Sequence, residues 1–267
     1  VQTLAQALQQ AGRSHHGVRF IRRGDVETCV GYAELAARAA GLLGVLQGCG
    51  VLPGDRLVIL TRDSIAFVDA FWACQFGGLV AVPLPAGLQA EYLRRLDSVA
   101  RLLEAPWIFT ERELFARLDV GTRARFAGRV MLLEDVSSLD NPARLHPAEP
   151  ADIALLQFSS GSTSEPKGVQ LSHANLLANI RAIGAAAAIS AQDATLSWMP
   201  LTHDMGLVGF HLVPLVNGLA QTLMDTELFV RRPARWLDAA QQTGATLLCA
   251  PNFGYQHYLK SVPDPAD

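Results

Sequence analysis

The feature that most constrains this fold is an alternation that begins at Tyr32. Short apolar runs of strand length, closed by Gly, Pro or Asp, take turns with longer segments of helical period. Tyr32 to Gln47 carries Leu35, Ala39, Leu42, Leu43 and Leu46 at helical spacing and stops at Gly48 and Gly50. Pro53, Gly54 and Asp55 turn the chain into a strand, Arg56 to Leu60. Ser64 is the expected cap of a helix through Gln75 that Gly77 and Gly78 close, and Leu79 to Leu84 is the next strand. Glu91 to Glu104 is amphipathic, with Leu93, Leu96, Val99, Ala100 and Leu103 inward and Arg94, Arg95 and Arg101 toward water. Strands Trp107–Phe109 and Val130–Leu133 flank a helix around Glu111 to Leu118.

Asp140 to Pro150, rich in Pro and charge, reads as a linker that divides residues 1–150 from 151–267. Beyond it the strand Ile153–Phe158 leads to a helix capped by Ser172 and running through Ala188, then a strand Thr195–Met199. A helix from about Asp204, a strand near Ala220–Met224, a helix Pro233–Thr243 stopped by Gly244 and a strand Thr246–Cys249 follow. This order predicts an α/β fold of parallel-rich sheets flanked by helices. In such sheets ligands bind beyond the carboxyl ends of the strands, so the loops at Ser159, Leu201 and Pro251 are expected on one edge.

Composition removes several classes of function. A net charge of -3 with acids and bases interspersed leaves no basic surface for nucleic acid. Cys29, Cys49, Cys74 and Cys249 lie far apart without a CxxC, which argues against a disulfide framework and a zinc site and makes a reducing cytoplasm the simplest setting. No histidine pair has helical metal-ligand spacing, so no protein-built metal site is expected. No apolar stretch approaches the roughly 20 residues of a membrane helix. There is no signal-peptide pattern, and a chain opening on Val1 reads as cut from something longer.

Chemistry concentrates in LLQFSSGSTSEPKGVQLSH, Leu155 to His173. After the apolar run come Ser159, Ser160, Gly161, Ser162, Thr163 and Ser164, then Lys167 and Gly168. Small side chains let backbone approach a polyphosphate closely while amides and hydroxyls donate to its oxygens. Lys167 is one of only two lysines in a chain whose positive charge is otherwise Arg, and it supplies a flexible point charge. Alone, such a loop is also the composition of a solvated turn. It is not a Walker loop, which needs Gly before the Lys and a helix directly after; here Pro166 precedes Lys167, and Gly168 to Leu171 is extended.

SSGSTSEPKG resembles the signature of the adenylate-forming superfamily, which includes acyl-CoA synthetases, luciferases and peptide-synthetase adenylation domains. Ser164 stands where that pattern usually has Gly, a residue that tolerates positive φ as Ser does not. Two later segments extend the resemblance. WMPLTHDMGL, Trp198 to Leu207, is similar to the His motif of carboxylate-activating members, and HDMGL to the version in fatty acyl-AMP ligases and ligase-like loading domains of polyketide and lipopeptide assembly lines. APNFGYQHYL, Ala250 to Leu259, is similar to their PNFAY-like segment, with Gly254 where Ala is common.

From the residues alone, His203 at a strand-to-helix corner can hold a carboxylate or phosphate oxygen, or be satisfied by a backbone carbonyl while Asp204 caps the helix. Phe253 and Tyr255 can wall an acyl pocket or be ordinary core aromatics, and Asn252 can hydrogen-bond substrate or nucleotide. The resemblance implies an ATP site at Ser159, Ser160, Gly161, Ser162, Thr163, Ser164, Lys167 and Gly168, with His203 and Lys167 catalytic. It implies an acyl site at His203, Asp204, Met205, Gly206, Asn252, Phe253, Gly254 and Tyr255. The ligase-type context makes Asp204 structural rather than an anchor for a substrate ammonium.

The implied reaction is attack of a carboxylate, a fatty acid first, on the α-phosphorus of ATP, giving an acyl-adenylate and pyrophosphate. The acyl group then passes to the phosphopantetheine thiol of a carrier protein. Mg2+ would be carried by the phosphates. An acyl- or aryl-CoA ligase with free CoA as acceptor is the rival, and a non-catalytic binding or scaffolding module of the same fold is the reading from another class. The YGxTE-like segment, the later ribose-binding Asp, the hinge and the small carboxy-terminal domain with its Lys are not found. The chain therefore reads as the amino-terminal part of such an enzyme, expected not to complete the reaction alone.

Overall fold

The structure, a computed structural model, describes residues 1–87, 89–159 and 166–262, and of Ser159 the backbone only. In chain order the elements are α1 (Leu4–Ala11), β1 (Gly17–Arg22), β2 (Val26–Gly31), α2 (Tyr32–Gly48), β3 (Arg56–Leu60), α3 (Ser64–Gly77), β4 (Val80–Pro83), α4 (Ala90–Leu102) and β5 (Trp107–Thr110). Two short helices, α5 (Arg112–Ala116) and α6 (Val120–Arg125), lead to β6 (Val130–Leu132). The hairpin β7 (Ile153–Ser159) and β8 (Lys167–Ser172) precedes α7 (His173–Ala186) and β9 (Ala194–Ser197). A π-helix, Met205–Leu212, runs into α8 (Val213–Val216). Then come β10 (Ala220–Met224), α9 (Thr226–Arg231), α10 (Ala234–Thr243), β11 (Leu247–Leu248) and α11 (Asn252–Ser261).

These elements form two compact units, one of Val1–Gln6 with Leu35–Leu177 and one of Ala7–Glu34 with the chain from Ala178 on. The first holds a six-stranded sheet in the order β6-β5-β3-β4-β7-β8, parallel except for the β7–β8 pair. The second holds a five-stranded sheet in the order β11-β9-β10-β1-β2, parallel except for β1–β2. The alternation thus gives the α/β, parallel-rich architecture it predicts.

The first unit corrects several local expectations. Asp63, not Ser64, caps α3: its carboxylate accepts the Ile65 and Ala66 amides, both at 2.9 Å. The helix expected around Glu111–Leu118 is present as α5, and an unexpected second one follows it, because Asp119 accepts the Thr122 amide and starts α6. Arg95 does not face water; its Nη2 donates to the Phe158 carbonyl at 2.5 Å.

Asp140–Pro150 does not separate the units. The chain around it lies against α2 so closely that a Cβ on Gly41 would stand 1.6 Å from the Leu139 carbonyl oxygen and one on Gly44 2.7 Å from that of Asn141. Arg144 exchanges hydrogen bonds with Gln47, and the His146 amide donates to Phe76 O. Having run back along α2 and α3, the chain enters β7 beside β4, so β7 and β8 belong to the first sheet and the division at 150 is not where the compact units part.

In the second unit the β1–β2 hairpin carries no legible alternation, since five of the six β2 positions are exposed or half-exposed and only Val30 is buried. The core gathers Ile21, Leu196, Trp198, Met224, Phe229 and Trp236. Because β9 and β11 are adjacent and parallel, with Leu248 opposite Leu196, the loops at Leu201 and Pro251 leave the same edge. The loop at Ser159 follows a strand of the other sheet, so the single shared edge expected for all three is not what the strands make.

Candidate functional site

The first group of site residues sits at the open end of the β7–β8 hairpin. Leu155 pairs with Leu171, Phe158 with Gly168 and Ser159 with Lys167, so the last ladder position puts Lys167 at the mouth of the turn. Ser160, Gly161, Ser162, Thr163 and Ser164 lie outside the described residues. Lys167 is exposed, and its ammonium meets no described hydrogen-bond or ion-pair partner. Gly168 has a reason to be small: a Cβ there would meet the Phe158 ring at 3.0 Å and Leu156 at 3.1 Å. The side chain that sequence reasoning missed is Arg95, half-buried under the Phe158 carbonyl with its Nε buried and without a partner among the described residues. Its position on a helix rich in surface arginine hides it.

The second group is built on a turn that leaves β9 and doubles back. Thr226 Oγ1 donates to Trp198 O at 2.8 Å, and the His203 amide donates to Pro200 O at 3.0 Å. The Leu207 amide then takes His203 O at 2.8 Å. The return is so tight that a Cβ on Gly206 would stand 2.1 Å from Pro200 O, a backbone atom that cannot step aside. Gly206 therefore serves this close approach of backbone to backbone. Met205 is partly buried against the cluster that contains Trp198.

His203 and Asp204 are both solvent-facing, with Nδ1 2.7 Å from Asp204 Oδ1. Asp204 also accepts the Met205 amide at 2.8 Å, though from helical backbone rather than the extended geometry of an ordinary cap. Nδ1 thus has two neighbours on its own turn, since the Met205 amide also approaches it at 3.2 Å: the carboxylate suits a protonated Nδ1 and the amide a bare one. Asp204 is thus more than the helix cap of the bland reading: it orients the imidazole. Both side chains are more than two-thirds exposed, so the pair orients the ring without contributing much stability.

The third group meets the second through one aromatic side chain. Trp198 is buried, stacked on Phe229 at 3.9 Å between ring centroids, and edge-on to Phe253 at 6.1 Å. Gly254, buried at the first turn of α11, lies against that indole: a Cβ would stand 2.6 Å from Trp198 Cζ2. Phe253 and Tyr255 are 63% and 44% exposed, so neither is an ordinary core aromatic. Tyr255 rests on Trp236 at 5.6 Å, and Asn252 is exposed at the start of α11. Within this unit Trp198 is the shared element: Met205 packs against the cluster that contains it, and Phe253 and Gly254 lie against its ring. An exposed imidazole on a turn anchored in an aromatic cluster can meet the polar head of a molecule whose body is apolar.

Comparison with known proteins gives the family of the chain. The family described as AMP-binding enzyme matches residues 8–266. A Caulobacter vibrioides protein provisionally named an acyl-CoA synthetase is 37% identical over 269 residues, covering 97% of this chain and 46% of that protein. A long-chain-fatty-acid–AMP ligase of Mycolicibacterium smegmatis is 34% identical over 244 residues, covering 88% of this chain and 38% of the ligase. The adenylation domain of a keto acid-selecting peptide-synthetase module, solved with a keto acyl adenylate, superposes with a TM-score of 0.87 at 33% identity, over 96% of this chain and 49% of that one. The chain thus spans less than half the length of each of these relatives.

Proposed function

The chain belongs to the AMP-binding enzyme family, and on that premise we propose that it serves ATP-dependent activation of a carboxylic acid, a fatty acid first, as an acyl-adenylate for transfer to a carrier-protein phosphopantetheine. The observation that carries this reading is the exposed His203, paired with Asp204 on the turn whose Met205 packs against the cluster of Trp198, the ring that Phe253 meets edge-on. The aromatic wall suits an acyl body. The imidazole suits the carboxylate as it approaches the α-phosphate, where like charges must be brought together.

Lys167 suits the polyphosphate because it is a mobile cation with no carboxylate partner among the described residues, standing at the mouth of a hydroxyl-rich turn. The carboxylate oxygen bonds to the α-phosphorus as the bond to pyrophosphate breaks. The thiol then takes the acyl carbon, and AMP leaves. Magnesium carried on the phosphates would add charge neutralisation there.

The test is ATP–pyrophosphate exchange by the native-length protein against fatty, aryl, keto and amino acids. Lys167→Ala should cost about 1.5 to 3 kcal/mol, roughly ten- to hundredfold, and appear in KM for ATP. His203→Ala should lower kcat for every accepted acid. Exchange that depends on an amino acid, or that survives both substitutions, would overturn the proposal. The Caulobacter relative's name favours a second reading with free CoA as acceptor; thioester formation on CoA rather than on a carrier protein would select it.

A further inference from the structure

The π-helix that follows the His203 corner is gripped by a buried chain of polar side chains lying outside the three site motifs. Tyr32 and His211 are fully buried, and Gln221 is 2% exposed. The Tyr32 hydroxyl donates to Leu219 O at 2.6 Å. Gln221 Nε2 donates to that hydroxyl at 2.7 Å and to the His211 carbonyl at 3.3 Å, while Gln221 Oε1 lies 2.8 Å from His211 Nδ1. With its own proton committed to Leu219, the tyrosine can only accept from the amide, which settles which end of Gln221 is which. The amide oxygen is then left to accept from His211, which carries its proton on Nδ1. Gln221 thus holds one residue of the π-helix by both its backbone and its ring.

Such a grip has a purpose where it is found. A π-helix is a rare, poorly hydrogen-bonded geometry that persists only where surrounding structure holds it. Here its first turn is fixed by Gly206 against Pro200 O, and its far half by Gln221. Relaxation to α geometry would shift the register at Gly206, break its close approach to Pro200 O and so move the corner that carries His203 relative to β9. Burial keeps His211 neutral, with its pKa lowered to about 4, so the Nδ1 proton and the Nδ1–Gln221 bond are kept at neutral pH.

We propose that His211 and Gln221 are positioning residues, a register clamp that holds the chain in π geometry and thereby sets where His203 meets the substrate. The proposal rests on the role given above to His203. It places the clamp between β10 and the π-helix, with Tyr32 fixing the orientation of the Gln221 amide.

The experiment measures backbone amide hydrogen exchange over residues 205–213 and ATP–pyrophosphate exchange kinetics in the native-length protein. His211→Leu should speed amide exchange there about tenfold relative to the rest of the unit and lower kcat about tenfold with KM for ATP unchanged. His211→Asn, whose side-chain amide nitrogen can occupy the place of Nδ1, should restore most of both. Should His211→Leu fail to fold, Tyr32→Phe, which removes only the outermost hydroxyl, should show the same changes at smaller size. Unchanged amide exchange in the variants would overturn the clamp. Faster amide exchange with unchanged kcat, while His203→Ala abolishes activity, would overturn the link from clamp to corner. Full activity in His203→Ala would overturn the reading of His203 and the positioning role with it.

Discussion

The β7–β8 hairpin and the His203 corner present their candidate residues in opposite ways. At the hairpin, Lys167 stands at the end of a two-stranded ladder on a side chain with four rotatable carbons and no described partner. At the corner, His203 is held by its own backbone, by Asp204 and by a return so close that only glycine fits at 206. A mobile charge can follow a polyphosphate whose oxygens spread over several ångströms. A ring that must meet one carboxylate needs its backbone fixed first. The difference teaches that in this chain flexible recognition is written in residue types, and fixed geometry in packing.

The largest expected effect breaks the corner and spares the hairpin. In Gly206→Ala the new Cβ would fall 2.1 Å from Pro200 O, and neither backbone can yield without moving β9 or the π-helix. We expect a loss of about 3 kcal/mol of stability, at the upper end for overpacking, together with loss of activity. Urea unfolding of the variant checks the first. A change below about 1 kcal/mol would mean that the return is looser than its geometry.

This contrast also explains what the sequence made legible. The hydroxyl run and Lys167 are contiguous, so their chemistry shows without any knowledge of the fold. The parallel-rich sheets follow from alternation alone, because buried apolar runs of strand length such as Leu57–Leu60 take turns with one-faced helices such as α4. Arg95 was hidden because the amphipathic pattern of α4 shows which face meets the core and not what waits at the rim of that face; its partner is the carbonyl of Phe158, on a strand far along the chain. The fit of Gly254 to Trp198 joins two segments that only the pairing of β9 with β11 brings together. The π-helix leaves no local trace, since its register is imposed by Gln221 and Gly206 rather than by the period of its own side chains.

The next effect separates the regions by pH. His211 has its pKa lowered by burial from 6.5 to about 4, and burial lowers that of His173 as well. Between those values the unfolded chain binds more protons than the folded one, so stability is fully present above about pH 6.5 and falls as pH drops toward 4. For His211 the full loss is about 3 kcal/mol. Thermal unfolding from pH 7 to 4 should therefore show a decline that His211→Asn reduces, with His173 supplying the remainder. His173 is itself held neutral where it accepts the Leu4 amide at 3.2 Å. An identical pH profile in the wild-type chain and His211→Asn would place the acid sensitivity outside the clamp.

The smallest effect sharpens the comparison, because it sets one glycine of each region against the other. In Gly254→Ala the added methyl would lie 2.6 Å from Trp198 Cζ2. That indole is stacked on Phe229 and edge-on to Trp236, so it can retreat only by disturbing both rings. In Gly168→Ala the methyl would meet the Phe158 ring edge at 3.0 Å and the tip of Leu156 at 3.1 Å, ends of side chains that can turn by a few tenths of an ångström. We expect about 1 to 2 kcal/mol lost in the first variant and less than about 0.5 in the second, by the ordinary cost of crowding a packed against a partly open site. The kinetics should divide in the same way: Gly254→Ala should raise KM for the acid while leaving that for ATP, if the displaced indole and Phe253 form the apolar wall proposed for the acyl group. Equal costs in the two variants, or a KM change confined to ATP, would show that the corner is no more tightly built than the hairpin, and the contrast between mobile and fixed recognition would fall with it.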